Sequence, residues 1–314
     1  MKVIIQIPCL NEARTLPALI AEIPARIEGA GKIETLVIDD GSTDGTSDSA
    51  KRAGATYIIR HTSRKGLARA FETGLNESLK RGADIIVNLD ADGQYDPKDI
   101  GSLIAPIASG RADMVIGARD IENLRHFSFF KKKLQRIGSF VVRMVSRTDI
   151  PDVTSGFRAF SKEAAASINV VSDFTYTIET LIQAGNQAIA LEHVPVAARE
   201  VKRKSRLFRT IREYIAKSTS TIIRIYMMYK PLKVFSLIAG ALCLAAAFFF
   251  GRFLVLRFSS PGARPIQNLV AAGVFTILSF QVFLIGLLAD LVAANRKLLE
   301  NTLKRVKTLE HSKK

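Results

Sequence analysis

The sequence carries two carboxylates at a spacing that could hold a metal ion. Asp90 and Asp92 follow an apolar run at residues 85–89, which predicts a strand buried on both faces. In an extended chain the two side chains point to the same side, where like charges repel unless a cation lies between them. Hard oxygen ligands suit Mg²⁺ or Mn²⁺, which usually reach a protein together with substrate phosphates. A solvated acidic turn is the alternative interpretation.

A second polar cluster, VIDDGSTDGT at residues 37–46, also follows an apolar strand. An aspartate there could accept hydrogen bonds from a base or a ribose. The chain contains neither a Gly-Lys-Ser/Thr phosphate loop nor a GxGxxG dinucleotide fingerprint. Taken alone, the cluster is typical of a turn that caps a helix. Together with Asp90 and Asp92, it predicts a nucleotide at one end of a site and a metal-bound diphosphate at the other.

The elements that must position these clusters alternate between strands and helices. The pattern predicts strands at residues 2–7, 35–38, 56–59, 85–89 and 113–116, with helices at 13–27, 47–53, 66–81 and 97–108. Such alternation predicts an α/β fold, a mostly parallel sheet with helices on both faces. Ligands bind at the carboxyl ends of the strands in such sheets. Three polar clusters fall there: residues 8–12, 39–46 and 90–94.

Net charge and two apolar runs predict a membrane protein. The 314 residues carry a net charge of +16, which implies nucleic acid or an anionic membrane surface as a partner. Residues 234–251 and 266–289 hold no charge, and each run is long enough to cross a bilayer as a helix. Flanking Lys and Arg place the N-terminal domain and the tail in the cytoplasm by the positive-inside rule. Two buried helices of a soluble core are the alternative, whereas nucleic acid binding would explain neither run.

Six motifs in order carry a resemblance to a known family. They are IPCLNE (7–12), VIDDGS (37–42), GLARAFETG (66–74), DADGQ (90–94), GAR (117–119) and DVTSGFR (152–158). The chain resembles a family 2 glycosyltransferase with the GT-A fold, of the membrane-bound dolichyl- or polyprenyl-phosphate sugar synthase type. The resemblance implies a Rossmann-like GT-A catalytic domain at 1–200, a basic interfacial helix at 201–231, two transmembrane helices within 232–292 and a basic cytoplasmic tail at 293–314.

The resemblance also implies a role for each matching residue. The nucleotide sugar, UDP- or GDP-linked, would be bound by Pro8, Asn11, Glu12, Asp39, Asp40 and Asp90. Mg²⁺ or Mn²⁺ would be held by Asp90, Asp92 and Gln94. The catalytic group would be Asp92, Asp152, Arg119 and Arg158, with both arginines meeting phosphate charge. The polyprenyl phosphate acceptor would meet Arg199, Ser205, Arg206 and Glu179. Two alternatives stay open: Arg158 could pair with a carboxylate, and Glu179 could orient a loop.

Two stretches predict contact with the membrane surface. Residues 130–144 and 207–225 place apolar side chains at helical spacing on one face and Lys or Arg on another. Basic amphipathic helices of this kind lie in membrane interfaces, although packing on the domain is the alternative. Between them, residues 199–206 depart from the family pattern Arg-x-x-Gly-x-Ser-Lys, because the glycine is missing and Arg206 replaces lysine. Arginine retains the charge and binds phosphate as a fork.

These features predict inverting transfer of a sugar from a nucleotide sugar to a polyprenyl phosphate at the cytoplasmic face of the membrane. Transfer to a hydroxyl of another lipid or a polysaccharide is one alternative, and it would require a general base. An inactive scaffold that binds nucleotide sugars is another, against which the complete Asp90, Asp92 and Gln94 set argues. The helix predicted at 291–310 is a hint of a homo-oligomer.

Overall fold

The structure, a computed structural model, describes residues 1–119, 142–143, 146, 148–171, 176–199, 211–259 and 265–312; side chains at 211–218, 221 and 308–312 are not described. Seven strands form one sheet in the order β3-β2-β1-β4-β6-β5-β7. Their bounds are Lys2–Cys9 (β1), Lys32–Asp39 (β2), Tyr57–Arg60 (β3), Ile85–Asn88 (β4), Met114–Arg119 (β5), Arg158–Ser161 (β6) and Leu191–Val196 (β7).

Helices follow most of these strands. They are Leu16–Glu22 (α1), Thr46–Arg52 (α2), Leu67–Lys80 (α3), Ile100–Ala108 (α4, preceded by the 3₁₀ turn Pro97–Asp99), Lys162–Ser167 (α5), Tyr176–Asn186 (α6), Ile211–Tyr229 (α7), Pro231–Ser259 (α8) and Ile266–Ser312 (α9). The first helix is shorter than the predicted 13–27, because Pro17 lies in its first turn and the chain leaves helical geometry at Ile23. The mostly parallel α/β sheet predicted from the alternation is confirmed.

Both faces of the sheet are covered. Alternate β1 residues such as Ile5 belong to the buried cluster that Leu16 of α1 and Leu103 of α4 complete. On the opposite face α3 lies so close that a Cβ at Gly74 would sit 2.5 Å from Gln6 Oε1. Strands buried on both faces require continuous apolar runs, which explains why the sequence pattern located β1, β2 and β4.

The antiparallel strand β6 was not predicted, and it decides which residues meet. It inserts between β4 and β5 and pairs with both, so that Asn88 lies opposite Arg158. The start of β6 therefore shares an edge of the sheet with the carboxyl ends of β1, β2, β4 and β5. All the polar clusters predicted at strand ends, and Arg158 with them, come to this one edge.

The described chain divides into two compact units. The first consists of Met1–Ile222 together with Thr302–Lys314, and the second consists of Ile223–Asn301. In the second unit, α8 and the apolar part of α9 are long and apolar enough to cross a membrane, and most of their side chains are exposed. They contact each other, since Ser279 Oγ donates to the Ala239 carbonyl at 2.8 Å and Phe249 stacks on Phe275. Exposed apolar helices of this length indicate a membrane protein, as the sequence predicted.

Some predictions fall on residues that the structure does not describe. The proposed interfacial helix at 130–144 lies almost wholly outside the described residues, as do Ser205 and Arg206. The second interfacial stretch, 207–225, overlaps α7, whose side chains are described only in part. The interfacial roles and the domain boundaries at 200, 231 and 292 stay predictions.

Candidate active site

The loops after β1 and β2 are bound to each other at the carboxyl edge of the sheet. The backbone N–H of Asn11 donates to Ser42 Oγ (2.9 Å), and its side-chain Oδ1 accepts from the Thr43 N–H (2.9 Å). Asn11 has a positive φ of 54°, which asparagine tolerates better than most residues. The Glu12 N–H donates to Thr46 Oγ1 at 2.9 Å. The two predicted donor-binding loops therefore form one rigid wall.

Three other residues predicted to bind the donor are buried in or beside this wall. Pro8 is a strand residue opposite Ile38. Asp39 accepts from the Ser42 N–H (2.8 Å) and from the Ser47 hydroxyl, while Glu12 Oε2 accepts from Thr15 Oγ1 (2.6 Å). These contacts fix the shape of the wall, and the roles of all three toward a nucleoside stay predictions.

Asp40, also predicted to bind the donor, is bonded to the segment that follows β3. Its Oδ1 is bonded to His61 Nδ1 and to the Lys65 N–H, and its Oδ2 to the Gly66 N–H, each at 2.8 Å. The side chain is buried, and its bonds go to the segment that leads into α3. Asp40 therefore holds the segment before α3, and its predicted contact with the donor stays a prediction.

The metal end of the site lies after β4. Asp90 Oδ1 accepts from the Tyr176 hydroxyl at 3.3 Å, and Asp92 Oδ1 accepts from the Gln94 N–H at 3.0 Å. Burial and the neighbouring charge of Asp92 raise the pKa of Asp90 to about 6. Within the described part of the chain, the second oxygen of each carboxylate accepts no hydrogen bond. Two crowded carboxylates with oxygens to spare fit a divalent cation whose remaining ligands come from substrate.

Gln94 is placed differently from the prediction. Its Oε1 accepts from Arg119 Nη1 at 3.1 Å, so this oxygen is turned toward the arginine instead of standing ready as a metal ligand. No group of three His, Cys, Asp or Glu side chains suited to a metal occurs among the described residues. The protein ligands that fit a cation are thus Asp90 and Asp92, with Gln94 as a link to Arg119.

Arg119 and Asp152 form a buried ion pair beside the carboxylates. Arg119 Nε donates to Asp152 Oδ2 (2.6 Å) and Nη2 to Oδ1 (3.1 Å), with side-chain exposures of 8% and 0%. Nη2 also donates to Thr154 Oγ1 at 3.0 Å. Burial alone would raise the pKa of Asp152, but the charge and hydrogen bonds of Arg119 hold it below its usual value. The positive charge of Arg119 is therefore already balanced before any phosphate binds.

Arg158 does not reach the site, contrary to the prediction that it meets phosphate charge. Its side chain is fully buried and donates to the carbonyls of Val153 (3.0 Å), Ser155 (2.7 Å) and Thr177 (2.8 Å). Burial lowers its pKa to about 10. In the structure its partners are carbonyls and the Thr180 hydroxyl, so it ties the 153–155 loop to α6 instead of pairing with a carboxylate.

Glu179 and Arg199, the two described residues predicted to bind the acceptor, form hydrogen bonds or ion pairs with other residues of the chain. Glu179 is buried, and its Oε1 accepts from the Val171 N–H (3.0 Å) and from Gln183 Nε2 (3.2 Å). This geometry favours the alternative in which Glu179 orients a loop. Arg199 pairs with Glu22 (2.6 Å) and Asp96 (2.9 Å), and its N–H donates to the Gln94 carbonyl. Arg199 therefore anchors the start of the basic 199–206 segment next to the site.

The motifs did not predict several residues that form hydrogen bonds or pack directly beneath the carboxylates and Arg119. Tyr176 and Asn88 bond to each other, and Tyr176 reaches Asp90. Tyr95 bonds to Ser155 Oγ (3.2 Å) and lies under Arg119. Asn88 was visible as the one polar residue of the apolar β4 run. Nothing in the sequence indicated that Tyr176, far along the chain, would contact Asp90.

Comparison with known proteins identifies the family. The model of the family described as Glycosyl transferase family 2 matches residues 4–168, from β1 through α5. This stretch is more than half of the chain, which therefore belongs to glycosyl transferase family 2 and is a glycosyltransferase. The family resemblance inferred from the six motifs is confirmed.

Relatives and a solved structure agree with this placement. Polyprenol monophosphomannose synthase of Mycolicibacterium smegmatis is 26% identical over 210 residues, 63% of this chain and 78% of that protein. UDP-N-acetylglucosamine–dolichyl-phosphate N-acetylglucosaminyltransferase of Methanococcus voltae is 30% identical over 215 residues, 60% of this chain and 82% of that protein. Glucosyl-3-phosphoglycerate synthase from Mycobacterium tuberculosis, crystallised with Mn²⁺, UDP and phosphoglyceric acid, gives a TM-score of 0.55 at 21% identity, covering 72% of this chain and 77% of that one. This likeness confirms the predicted GT-A fold.

Proposed function

We propose that this glycosyltransferase moves a sugar from a nucleotide diphosphate sugar to a polyprenyl phosphate, with inversion at the anomeric carbon, at the cytoplasmic face of a membrane. The observation that carries the proposal is one edge of a GT-A sheet that joins the linked loops after β1 and β2 to the Asp90 and Asp92 pair, in a chain with two helices long and apolar enough to cross a membrane. Two relatives named above act on polyprenol or dolichyl phosphates, which supports a lipid phosphate as acceptor.

On the donor side, Asp90 and Asp92 would hold Mg²⁺ or Mn²⁺ against the diphosphate. A divalent cation bound there supplies charge that stabilises the leaving nucleoside diphosphate. The protein's own part is to keep the two carboxylates together. The linked loops after β1 and β2 supply the wall against which the nucleoside would lie. Relatives with mannose and with N-acetylglucosamine in their names both match this chain, so the donors tested should cover more than one base and sugar.

On the acceptor side, the burial of Asp152 supports a phosphate nucleophile. A lipid monophosphate is largely dianionic at neutral pH, since its second pKa is about 6, and needs little help from a base. A hydroxyl acceptor would need a general base within hydrogen-bond reach. Asp152, the carboxylate predicted on this side, has no exposed surface, and Arg119 and Thr154 occupy its oxygens. It is therefore poorly placed to take a proton from an acceptor.

The decisive experiment is to incubate membranes containing the full chain with labelled nucleotide sugars and polyprenyl phosphate, and then to extract the lipids. We expect a labelled lipid that releases its sugar in mild acid, as a sugar joined through phosphate should. Asp92→Asn should abolish the product, whereas Asp149→Asn, the same change at an exposed position, should not. A product stable in mild acid, or equal use of a polyprenol without phosphate, would support a hydroxyl acceptor instead.

The basic 199–206 segment supplies a further test on the acceptor side. Bringing two anions together costs a few kcal/mol at an interfacial dielectric, on the order of 4 kcal/mol at 4 Å, so nearby cations should favour acceptor binding. Replacing Ser205 and Arg206 together by alanine should raise the KM for polyprenyl phosphate and leave the KM for the donor unchanged. An equal rise in both values would mean that the segment does not act on the acceptor.

A further inference from the structure

Tyr176 lies beneath the carboxylate pair and is fully buried. Its ring stacks on Phe71 of α3, with centroids 3.9 Å apart and planes 3° from parallel. Its hydroxyl lies 3.3 Å from Asp90 Oδ1, 3.3 Å from the Gly156 carbonyl oxygen and 2.8 Å from Asn88 Nδ2. The ring is thus fixed by packing, and the hydroxyl is the only group of Tyr176 that can act on the site.

The hydrogen bonds below Asp90 run in one direction. Gln6 Nε2 donates to Asn88 Oδ1 at 2.8 Å, which turns the Asn88 NH₂ group toward the site. That group donates to the Gly156 carbonyl (2.8 Å) and to the Tyr176 oxygen (2.8 Å). Because the Tyr176 oxygen is already an acceptor, its own proton points onward. A carboxylate is a stronger acceptor than a carbonyl that is already bonded, so Asp90 takes the proton.

Gly156 completes this arrangement by leaving room for Asp90. A Cβ at Gly156 would lie 2.2 Å from Asp90 Oδ2 and 2.8 Å from the Tyr176 hydroxyl. Any side chain there would displace the carboxylate or the tyrosine. Asp90 thus accepts a hydrogen bond at Oδ1, while its Oδ2 packs against Gly156 and accepts no hydrogen bond from the described residues.

We infer that Gln6, Asn88 and Tyr176 form a positioning chain that fixes the rotation of the Asp90 carboxylate at the cation site. The inference rests on the cation site of the proposed function. Groups that orient a metal ligand from behind typically change metal affinity about 10- to 100-fold when they are removed. Tyr176 is a positioning residue here, because its hydroxyl acts on the cation only through Asp90.

Tyr176→Phe tests this directly, because it removes one oxygen and keeps the ring stacked on Phe71. Mn²⁺ binding to the purified full chain is measured by electron paramagnetic resonance with UDP or GDP present, because the diphosphate would supply the remaining ligands, and a sample of nucleotide without protein is subtracted. We expect the Kd for Mn²⁺ to rise about tenfold or more. In the transfer assay, the Mn²⁺ concentration for half-maximal rate should rise by the same factor, and excess Mn²⁺ should restore kcat. Tyr57→Phe, at the edge strand β3, is the matched control and should change neither value.

Each outcome discriminates between explanations. If the wild-type chain binds no Mn²⁺ with either UDP or GDP present, the cation site of the proposed function is wrong. If wild type and Tyr176→Phe bind Mn²⁺ equally, only the positioning chain is overturned. Should Tyr176→Phe fail to fold, Gln6→Met carries the test, since it removes the first donor and leaves Tyr176 intact. That variant should also weaken Mn²⁺ binding, and an unchanged Kd would refute the inference.

Discussion

The substitution Asp152→Asn tests whether Asp152 acts as the partner in a buried ion pair or as a catalytic base. Asp152 has no exposed surface, and both of its oxygens bond to Arg119, itself 8% exposed. The substitution keeps the size of the side chain and removes its charge. Arg119 would then remain buried without the carboxylate to which it is hydrogen-bonded. We therefore expect the main loss to be in stability, with a slower reaction as its consequence.

The size of this loss follows from the contacts. Removing one partner of a buried ion pair costs about 3–5 kcal/mol. Arg119 would keep its bonds to Gln94 and Thr154, and asparagine retains one acceptor oxygen, so we take the lower end, about 3 kcal/mol. In a unit of this size each kcal/mol lowers Tm by about 2–4 °C, which gives a fall of about 6–12 °C.

The pH dependence of the difference in Tm between wild type and Asp152→Asn provides a second test of the ion pair. Because the folded-state pKa of Asp152 is below its usual value, its contribution to stability is present above the unfolded pKa of about 3.9 and is lost as pH falls. The difference in Tm between wild type and Asp152→Asn should therefore be full at pH 7 and shrink below about pH 4.

Thermal unfolding of the full chain in detergent, followed by circular dichroism, measures both quantities. Asp149→Asn, an exposed aspartate three residues earlier, is the matched control and should leave Tm unchanged. If Asp152→Asn unfolds within about 2 °C of wild type at pH 7 and yet loses all transfer, the ion-pair explanation fails. Asp152 would then have to act on substrate.

Three further predictions follow from the structure. Gly156→Ala should push Asp90 aside and lower kcat/KM about a hundredfold with the fold retained, measured by steady-state kinetics beside circular dichroism. Arg158→Met should lower the free energy of unfolding, measured with denaturant, by at least about 3 kcal/mol, because three buried carbonyls lose their donor. If the variant instead raises only the KM for the acceptor, Arg158 contacts phosphate as the sequence predicted. A cysteine at Ser259 should react with a reagent outside the cell and one at Ser63 should not; the reverse would overturn the cytoplasmic orientation.

The sequence was sufficient to predict the sheet and the edge where the site lies. Strands buried on both faces require unbroken apolar runs, and polar residues directly after such runs must lie at the carboxyl edge. Residues 8–12, 39–46 and 90–94 meet there for this reason. The membrane helices were predictable on the same basis, because their length and lack of charge exclude most other environments.

Individual side chains at that edge could not be assigned in the same way. Arg158 and Glu179 belong to polar motifs, but a motif does not say whether a side chain turns toward the site or into the core. Arg158 turns inward because β6 runs antiparallel between β4 and β5, a placement that no local pattern indicated. Glu179 turns inward because the 169–171 segment folds back onto α6 and needs an acceptor for its backbone.

The charges of the side chains at this edge favour a metal cation, more than arginine side chains alone, as the positive charge that would meet a diphosphate. Two arginines were predicted to meet phosphate, yet Arg119 is neutralised by Asp152 and Arg158 is buried among carbonyls. Arg199 is shared between Glu22 and Asp96. Asp90 and Asp92, by contrast, have no paired cation among the described residues, and burial together with the neighbouring charge of Asp92 raises the pKa of Asp90. A diphosphate at this edge would meet net negative charge from the described side chains, and a divalent cation between the carboxylates would neutralise the charge of Asp90 and Asp92.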